Sequence, residues 1–281
     1  MKKAILVVSF GTSHLDALNN SISKIEDLIG ENFREYDIYR SFTSHKIVKK
    51  INEKHGIKVL FPEESLKLLN EKGYEEVIVQ PLHIIPGEEF EYVKHMVEQY
   101  KNEFGKIELG RPIFHYEGFE EGPNDYSKFV EKMKCILEEN SPCVLVGHGS
   151  AHPSNAVYGC LQSILNDNEY ENVFVGTVEG YPNFNDVLRR VKRNNISELK
   201  IIPLMVVAGD HAKNDMASDE EDSWKSRFEN EGIKTSVVLK GLGEYEEFRE
   251  LYIDRVNDVI SGRYKGLGET KKKKHRKVLI G

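Results

Sequence analysis

Short apolar runs rich in valine and isoleucine alternate with amphipathic stretches from one end of the chain to the other. Compact apolar runs predict buried strands, and apolar positions three and four apart predict helices facing a core. Ala4–Val8 is such a run, followed by Leu15, Leu18, Ile22, Ile25 and Ile29 at helical spacing. Further strands are predicted at Tyr36–Phe42, Glu76–Leu82 and Ile107–Phe114, and helices over Lys46–Lys54, Glu63–Glu71, Glu89–Phe104 and Tyr126–Glu139. After Pro142 the pattern restarts. Strands fall at Cys143–Gly147, Asn172–Val178, Leu199–Val207 and Thr235–Lys240, with helices near Asn155–Leu165, Phe184–Arg193, Glu220–Glu231 and Glu246–Ile260. Alternation of this kind builds an α/β fold with parallel sheets and helices on their faces.

The restart is also visible residue by residue. Ile5-Leu-Val-Val-Ser-Phe-Gly-Thr-Ser-His14 aligns with Cys143-Val-Leu-Val-Gly-His-Gly-Ser-Ala-His152, and Val77 to Glu89 aligns with Leu199 to His211. Phe10 then pairs with His148, and Glu89 with His211. Two anchors in the same order predict a duplicated lobe: an N-terminal α/β lobe over 1–125, a C-terminal one over 126–262, and a basic tail over 263–281.

Three polar punctuations follow strands of the second half: Gly-His148-Gly-Ser, Val-Glu179-Gly-Tyr-Pro and Gly-Asp-His211-Ala. In open parallel sheets ligands bind beyond the carboxyl ends of the strands. Two imidazoles and a carboxylate delivered there can converge on one ion. The set suits Co²⁺, Ni²⁺, Fe²⁺ or Zn²⁺ without choosing among them. Three ligands leave coordination positions open, as catalysis or metal transfer requires. Glycines on both sides of His148 suggest room for a large planar ligand, and Asp210 and Asp219 are candidates to orient His211. The matching edge of the first half carries Phe10, Gly11, Thr12, His14, Leu82, His83 and Glu89, although Glu88 and Glu89 also fit the acidic first turn of a helix.

Composition narrows the classes. Hydrophobic residues at 39% and charged residues at 30% describe a globular chain, and a net charge of −7 argues against nucleic-acid binding. Six positive charges in the last eleven residues predict a solvated tail. Three cysteines without a Cys-x-x-Cys spacing fit a reducing compartment. With no signal-peptide pattern and no apolar run near the ~20 residues of a membrane span, a cytoplasmic protein without a membrane partner is expected. Gly147 precedes His148 where a phosphohistidine phosphatase has arginine, and there is no Gly-x-Ser-x-Gly elbow around Ser150, so phosphatase and hydrolase readings lose support. Neither a Walker A sequence nor Gly-x-Gly-x-x-Gly follows the first strand. Lys-Gly-Leu-Gly-Glu occurs twice, ending at Glu244 and Glu269, without a physical explanation.

Taken together, Leu6-Val-Val-Ser-Phe-Gly-Thr-Ser, Gln80-Pro-Leu-His-Ile-Ile-Pro-Gly-Glu-Glu, Gly147-His-Gly-Ser, Thr177-Val-Glu-Gly-Tyr-Pro and Pro203-Leu-Met-Val-Val-Ala-Gly-Asp-His-Ala-Lys-Asn-Asp-Met216 resemble the sirohydrochlorin cobaltochelatase family of anaerobic cobalamin biosynthesis. The similarity covers about residues 1–262. It implies a chelatase-like fold of two Rossmann-like lobes related by a pseudo-twofold. It also implies ATP-independent insertion of Co²⁺ into sirohydrochlorin, with no prosthetic group, and allows a homo-oligomer. On the resemblance His148, Glu179 and His211 bind the incoming metal and carry catalysis, with His148 expected to accept a pyrrole proton. Phe10, Gly11, Thr12, Leu82, His83, Glu89, Ser150, Met205 and Val206 are expected to meet the macrocycle, and Arg40, Lys46, Arg111 and Lys213 its carboxylates. An iron- or nickel-inserting chelatase would use the same residues, and a non-catalytic carrier of metal or tetrapyrrole would bind without raising the insertion rate.

Overall fold

The computed structural model describes residues 1–118, 122–137 and 141–265; the second Lys-Gly-Leu-Gly-Glu copy from Gly266 onward and the basic cluster beyond it lie outside the described residues. The first half runs β1 (Lys2–Ser9), α1 (Leu15–Ala17), a π turn at Leu18–Ile22, α2 (Ser23–Asn32), β2 (Asp37–Phe42), α3 (His45–His55), α4 (Pro62–Glu71), β3 (Tyr74–Pro81), α5 (Glu88–Gln99) and β4 (Lys106–Leu109). After α6 (Asp125–Lys132) come β5 (Cys143–Gly149), α7 (Ala156–Asp167), β6 (Val173–Glu179), α8 (Phe184–Arg193), β7 (Glu198–Pro203), α9 (Trp224–Asn230), β8 (Lys234–Val237) and α10 (Glu246–Ser261). Two four-stranded parallel sheets result, ordered β2-β1-β3-β4 and β6-β5-β7-β8.

The duplication extends to individual hydrogen bonds. Leu82 N donates to Val8 O at 2.7 Å, and its counterpart Leu204 N to Val146 O at 2.8 Å. Gly110 N donates to Val79 O at 2.8 Å, and Val238 N to the matching Ile201 O at 2.9 Å. Two of the four central strands, β3 and β7, end on proline, which has no N–H to give the ladder. The observed β7 stops at Pro203 and not at Val207. β4 likewise stops before Gly110 and Pro112, shorter than the apolar run suggests.

The strands are apolar on both faces, as sheets covered on both sides require. Ala4, Leu6 and Val8 pack with Leu66, Leu69 and Val93 on the outer face of the first sheet. Val144 and Val146 pack with Phe184, Trp224 and Phe228 on the outer face of the second. Ile5, Val7, Cys143 and Leu145 enter one continuous core shared by both halves. α10 closes this core by returning to the first half, where it packs on α2 and β3, and it also packs on α6. The Tyr252 hydroxyl donates to Leu82 O at 2.9 Å, and Arg255 donates to Ile113 O at 3.0 Å. An amphipathic helix carries no address for the sheet it will cover, so this crossing was not readable in the sequence.

The two C-terminal sheet edges face each other. The loop after β1 meets the loop after β7: Gly209 lies against the Thr12 hydroxyl, and His14 Nε2 is 2.6 Å from Asp210 Oδ1. Reciprocally, the loop after β3 meets the loop after β5, with Gly87 against the Ser154 hydroxyl. These crossed contacts are what a pseudo-twofold between the lobes produces.

Candidate metal centre

His148 is carried by the last turn of pleat in β5, and His211 starts the π turn Ala212–Met216 beyond β7. The strands are neighbours, so the two side chains share one stretch of sheet edge. Their Nε2 atoms are 3.1 Å apart, with the rings nearly perpendicular at 89°. Each remaining ring nitrogen faces an acceptor. His148 Nδ1 donates to Gly149 O at 3.1 Å, and His211 Nδ1 to Asp215 Oδ2 at 2.6 Å. With the N–H fixed on Nδ1, both Nε2 lone pairs turn toward the same point. Metal–imidazole bonds of about 2.1 Å at angles between about 90° and 110° hold two nitrogens about 3.0–3.4 Å apart, so the spacing fits two ligands on one ion.

The local sequence builds this pair. A Cβ at position 147 would strike the ring of Tyr158, which packs beneath the strand, and one at 149 would overlap the Glu179 carbonyl. Gly149 also has φ +88°, a left-handed conformation that L side chains avoid. The flanking glycines therefore admit protein atoms close to His148; they do not open space for a planar ligand, as the sequence suggested. Burial pushes the Tyr158 phenol up to about 12, so it stays protonated under the site.

Glu179 ends β6, paired with Gly149 in the sheet, and its side chain is exposed. Among the described residues no three His, Cys, Asp or Glu side chains are close enough to enclose an ion. The structure thus joins His148 with His211 and leaves the Glu179 carboxylate on the adjoining strand end.

The carboxylate that orients His211 is Asp215, not Asp210 or Asp219. Asp210 turns away to His14 and Lys50, and the His14 hydrogen bond holds its carboxyl below the usual range. Asp219 pairs with Lys225 at the surface. The missed signal is a His-x-x-x-Asp spacing, which stacks both residues on one face of a helical turn.

Among the residues expected to meet the macrocycle, Phe10 is 48% exposed just past the end of β1. Met205 and Val206 are half-buried after β7, and Ser150 is half-buried after β5. Thr12 and Leu82 are buried, Leu82 within the shared core, and Gly11 packs on the Phe42 ring. Glu89 stands with Glu88 and Glu91 in the first turn of α5, where the helix dipole favours carboxylates. His83 follows β3 with both ring nitrogens shielded and unpartnered, and burial holds its pKa down at about 4.

Three of the four expected carboxylate-binding cations have other partners. Arg40 pairs with Glu26 and Ser23, Arg111 is buried against Asp125 and Asp258, and Lys213 reaches Asp16. A basic residue near a predicted strand end gives no sign of an internal carboxylate that has already claimed it. Lys46, in the first turn of α3, is exposed.

The fold and the imidazole pair define a two-lobed α/β protein with two facing imidazoles at the edge of its second sheet. Residues 3–261 match the family model described as cobalt chelatase (CbiK), and the chain belongs to this family. It is 34% identical over 264 residues to the sirohydrochlorin cobaltochelatase of Salmonella typhimurium, covering 93% of this chain and 97% of that protein. It is 27% identical over 264 residues to the sirohydrochlorin cobaltochelatase CbiKC of Nitratidesulfovibrio vulgaris, covering 92% and 91%. The solved structure of SirB from Bacillus subtilis with Fe³⁺ superposes with a TM-score of 0.62 at 17% identity, covering 94% of this chain and 98% of that one, and shares the fold.

Proposed function

We propose that the protein is a sirohydrochlorin cobaltochelatase, a lyase that inserts Co²⁺ into sirohydrochlorin without ATP in the anaerobic route to cobalamin. The observation that carries this reading is the His148–His211 pair, 3.1 Å apart and turned to one point in a chain of the cobalt chelatase family. His148 and His211 take the ion, and Glu179 completes the set by turning its exposed carboxylate toward them. Such a site holds a metal loosely enough to pass it on, because positions stay open for the incoming pyrrole nitrogens.

The macrocycle lies between the facing sheet edges, with Phe10 on one wall and Met205 and Val206 on the other. Binding energy gathered over the ring face bends it and exposes a nitrogen lone pair to the ion. Two inner N–H groups give up their protons as two cobalt–nitrogen bonds form. The eight carboxylates of sirohydrochlorin point largely to water, since the internal carboxylates hold Arg40 and Arg111. No helix among the described residues is long and apolar enough to cross a membrane.

Insertion followed by the absorbance change on metallation, with Co²⁺, Fe²⁺ and Ni²⁺ at equal free concentrations, tests the reading. Fastest turnover with Co²⁺ is expected. A preference for Fe²⁺ or Ni²⁺ moves the assignment to another tetrapyrrole chelatase, and stoichiometric binding without turnover makes the protein a carrier.

A further inference from the structure

We propose that His83 is the group that accepts the inner pyrrole protons, acting from the first-lobe wall while the metal enters from His148 and His211 on the second. The inference rests on the chelatase reading above and assigns a role for which the two metal-binding imidazoles have no free nitrogen.

Elimination points to His83 first. His148 has Nδ1 on Gly149 O and Nε2 toward His211; His211 has Nδ1 on Asp215. A lone pair bound to a metal cannot take a proton in the same step. His14 Nε2 is held by Asp210 and His152 Nδ1 by the Ser154 hydroxyl. Among the described histidines at the two facing sheet edges, only His83 has neither nitrogen engaged.

Position supports the same assignment. His83 lies two residues beyond β3, on the loop whose Gly87 abuts Ser154 in the loop after β5, the strand that carries His148. Its counterpart in the duplicated half is Met205. The residue is partly exposed, yet both nitrogens are shielded, so its accessible surface belongs to carbon. A half-turn about Cβ–Cγ exchanges nitrogens with ring carbons, within the broad two-fold range of that torsion. Buried polar atoms in native proteins are nearly always partnered, and an orphan imidazole at a ligand-binding sheet edge calls for an outside partner. The Ser9, Ser13 and Thr43 hydroxyls, at or just past the ends of β1 and β2, are also buried and unpartnered. His115, whose Nδ1 is also unpartnered, packs instead on the rings of Phe90 and Tyr116.

The step balances without oxidant or reductant. An inner N–H bond breaks, and its electron pair becomes the lone pair donated to Co²⁺. The proton adds to the neutral imidazole of His83, giving imidazolium, which releases it to water before the second N–H reacts. One Co²⁺ enters and two protons leave. His83 is neutral near pH 7, so its imidazole carries a lone pair that can take the proton.

The test compares wild type with His83→Gln and His83→Ala. Each protein is assayed for Co²⁺ binding by visible d–d absorption, for sirohydrochlorin binding by fluorescence, and for insertion by stopped-flow absorbance. Both variants should bind Co²⁺ and sirohydrochlorin as wild type does, and insert about 100-fold more slowly or worse. Added imidazole should accelerate His83→Ala and leave wild type unchanged. Insertion by either variant within about 3-fold of wild type overturns the proposal, since a lost general base is worth far more. So does a slow His83→Ala that imidazole does not restore, or one whose defect is lost sirohydrochlorin binding. Wild type that binds both substrates and inserts nothing overturns the chelatase reading, and this proposal with it.

Discussion

Asp215 Oδ2 accepts from His211 Nδ1 at 2.6 Å, one helical turn further along the chain. The bond fixes the tautomer that leaves the His211 Nε2 lone pair toward His148 and makes the imidazole a stronger donor to metal. Asp215→Ala is therefore expected to weaken Co²⁺ binding by about 10–100-fold, read by titration of the d–d bands. Asp219→Ala, which removes only a surface partner of Lys225, should leave it unchanged.

Gly149 marks the closest approach in the site. Alanine there would place Cβ on the Glu179 carbonyl, in a left-handed conformation. We expect Gly149→Ala to destabilise the protein by about 3 kcal/mol or more in urea unfolding. A midpoint equal to wild type would mean that β5 and β6 are not paired as described.

Under α10, Asp125 and Arg255 are fully buried and 3.0 Å apart, with Arg111 on the same carboxylate. Removing one member strands a charge in the core. Asp125→Ala should cost about 3–5 kcal/mol, whereas Lys128→Ala, which breaks an exposed pair with Asp254, should cost less than about 1 kcal/mol.

Burial holds His83 and His115 each at about 4, against about 6.5 in an unfolded chain. The unfolded state thus binds two protons that the folded state refuses between these values. Stability from this source is full above about pH 6.5, falls as pH drops and is gone below about 4, by at most about 3 kcal/mol for each group. Urea unfolding at pH 7 and pH 5 should show a smaller loss for the His83→Gln, His115→Gln double variant. An equal loss would contradict the burial of both rings.

The strand–helix alternation and the internal match of Ile5–His14 with Cys143–His152 made the two-lobed plan legible, because buried parallel strands need continuous apolar runs. His148 and His211 were legible for the same reason: each is polar where such a run ends. What stayed hidden depends on three-dimensional partners. Asp210 sits beside His211 in sequence but points across the cleft to His14. Arg111 looks like a free cation until Asp125 and Asp258 are folded against it. The glycines around His148 suggested room for a ligand, and the Tyr158 ring and the Glu179 carbonyl occupy it.

The most direct measurement is the rate of Co²⁺ insertion into sirohydrochlorin by wild type and His211→Ala, with folding of both checked by circular dichroism. Insertion by wild type above the spontaneous rate, abolished in a folded His211→Ala, is the predicted result. Equal insertion by the two proteins would contradict the metal centre proposed at His148 and His211.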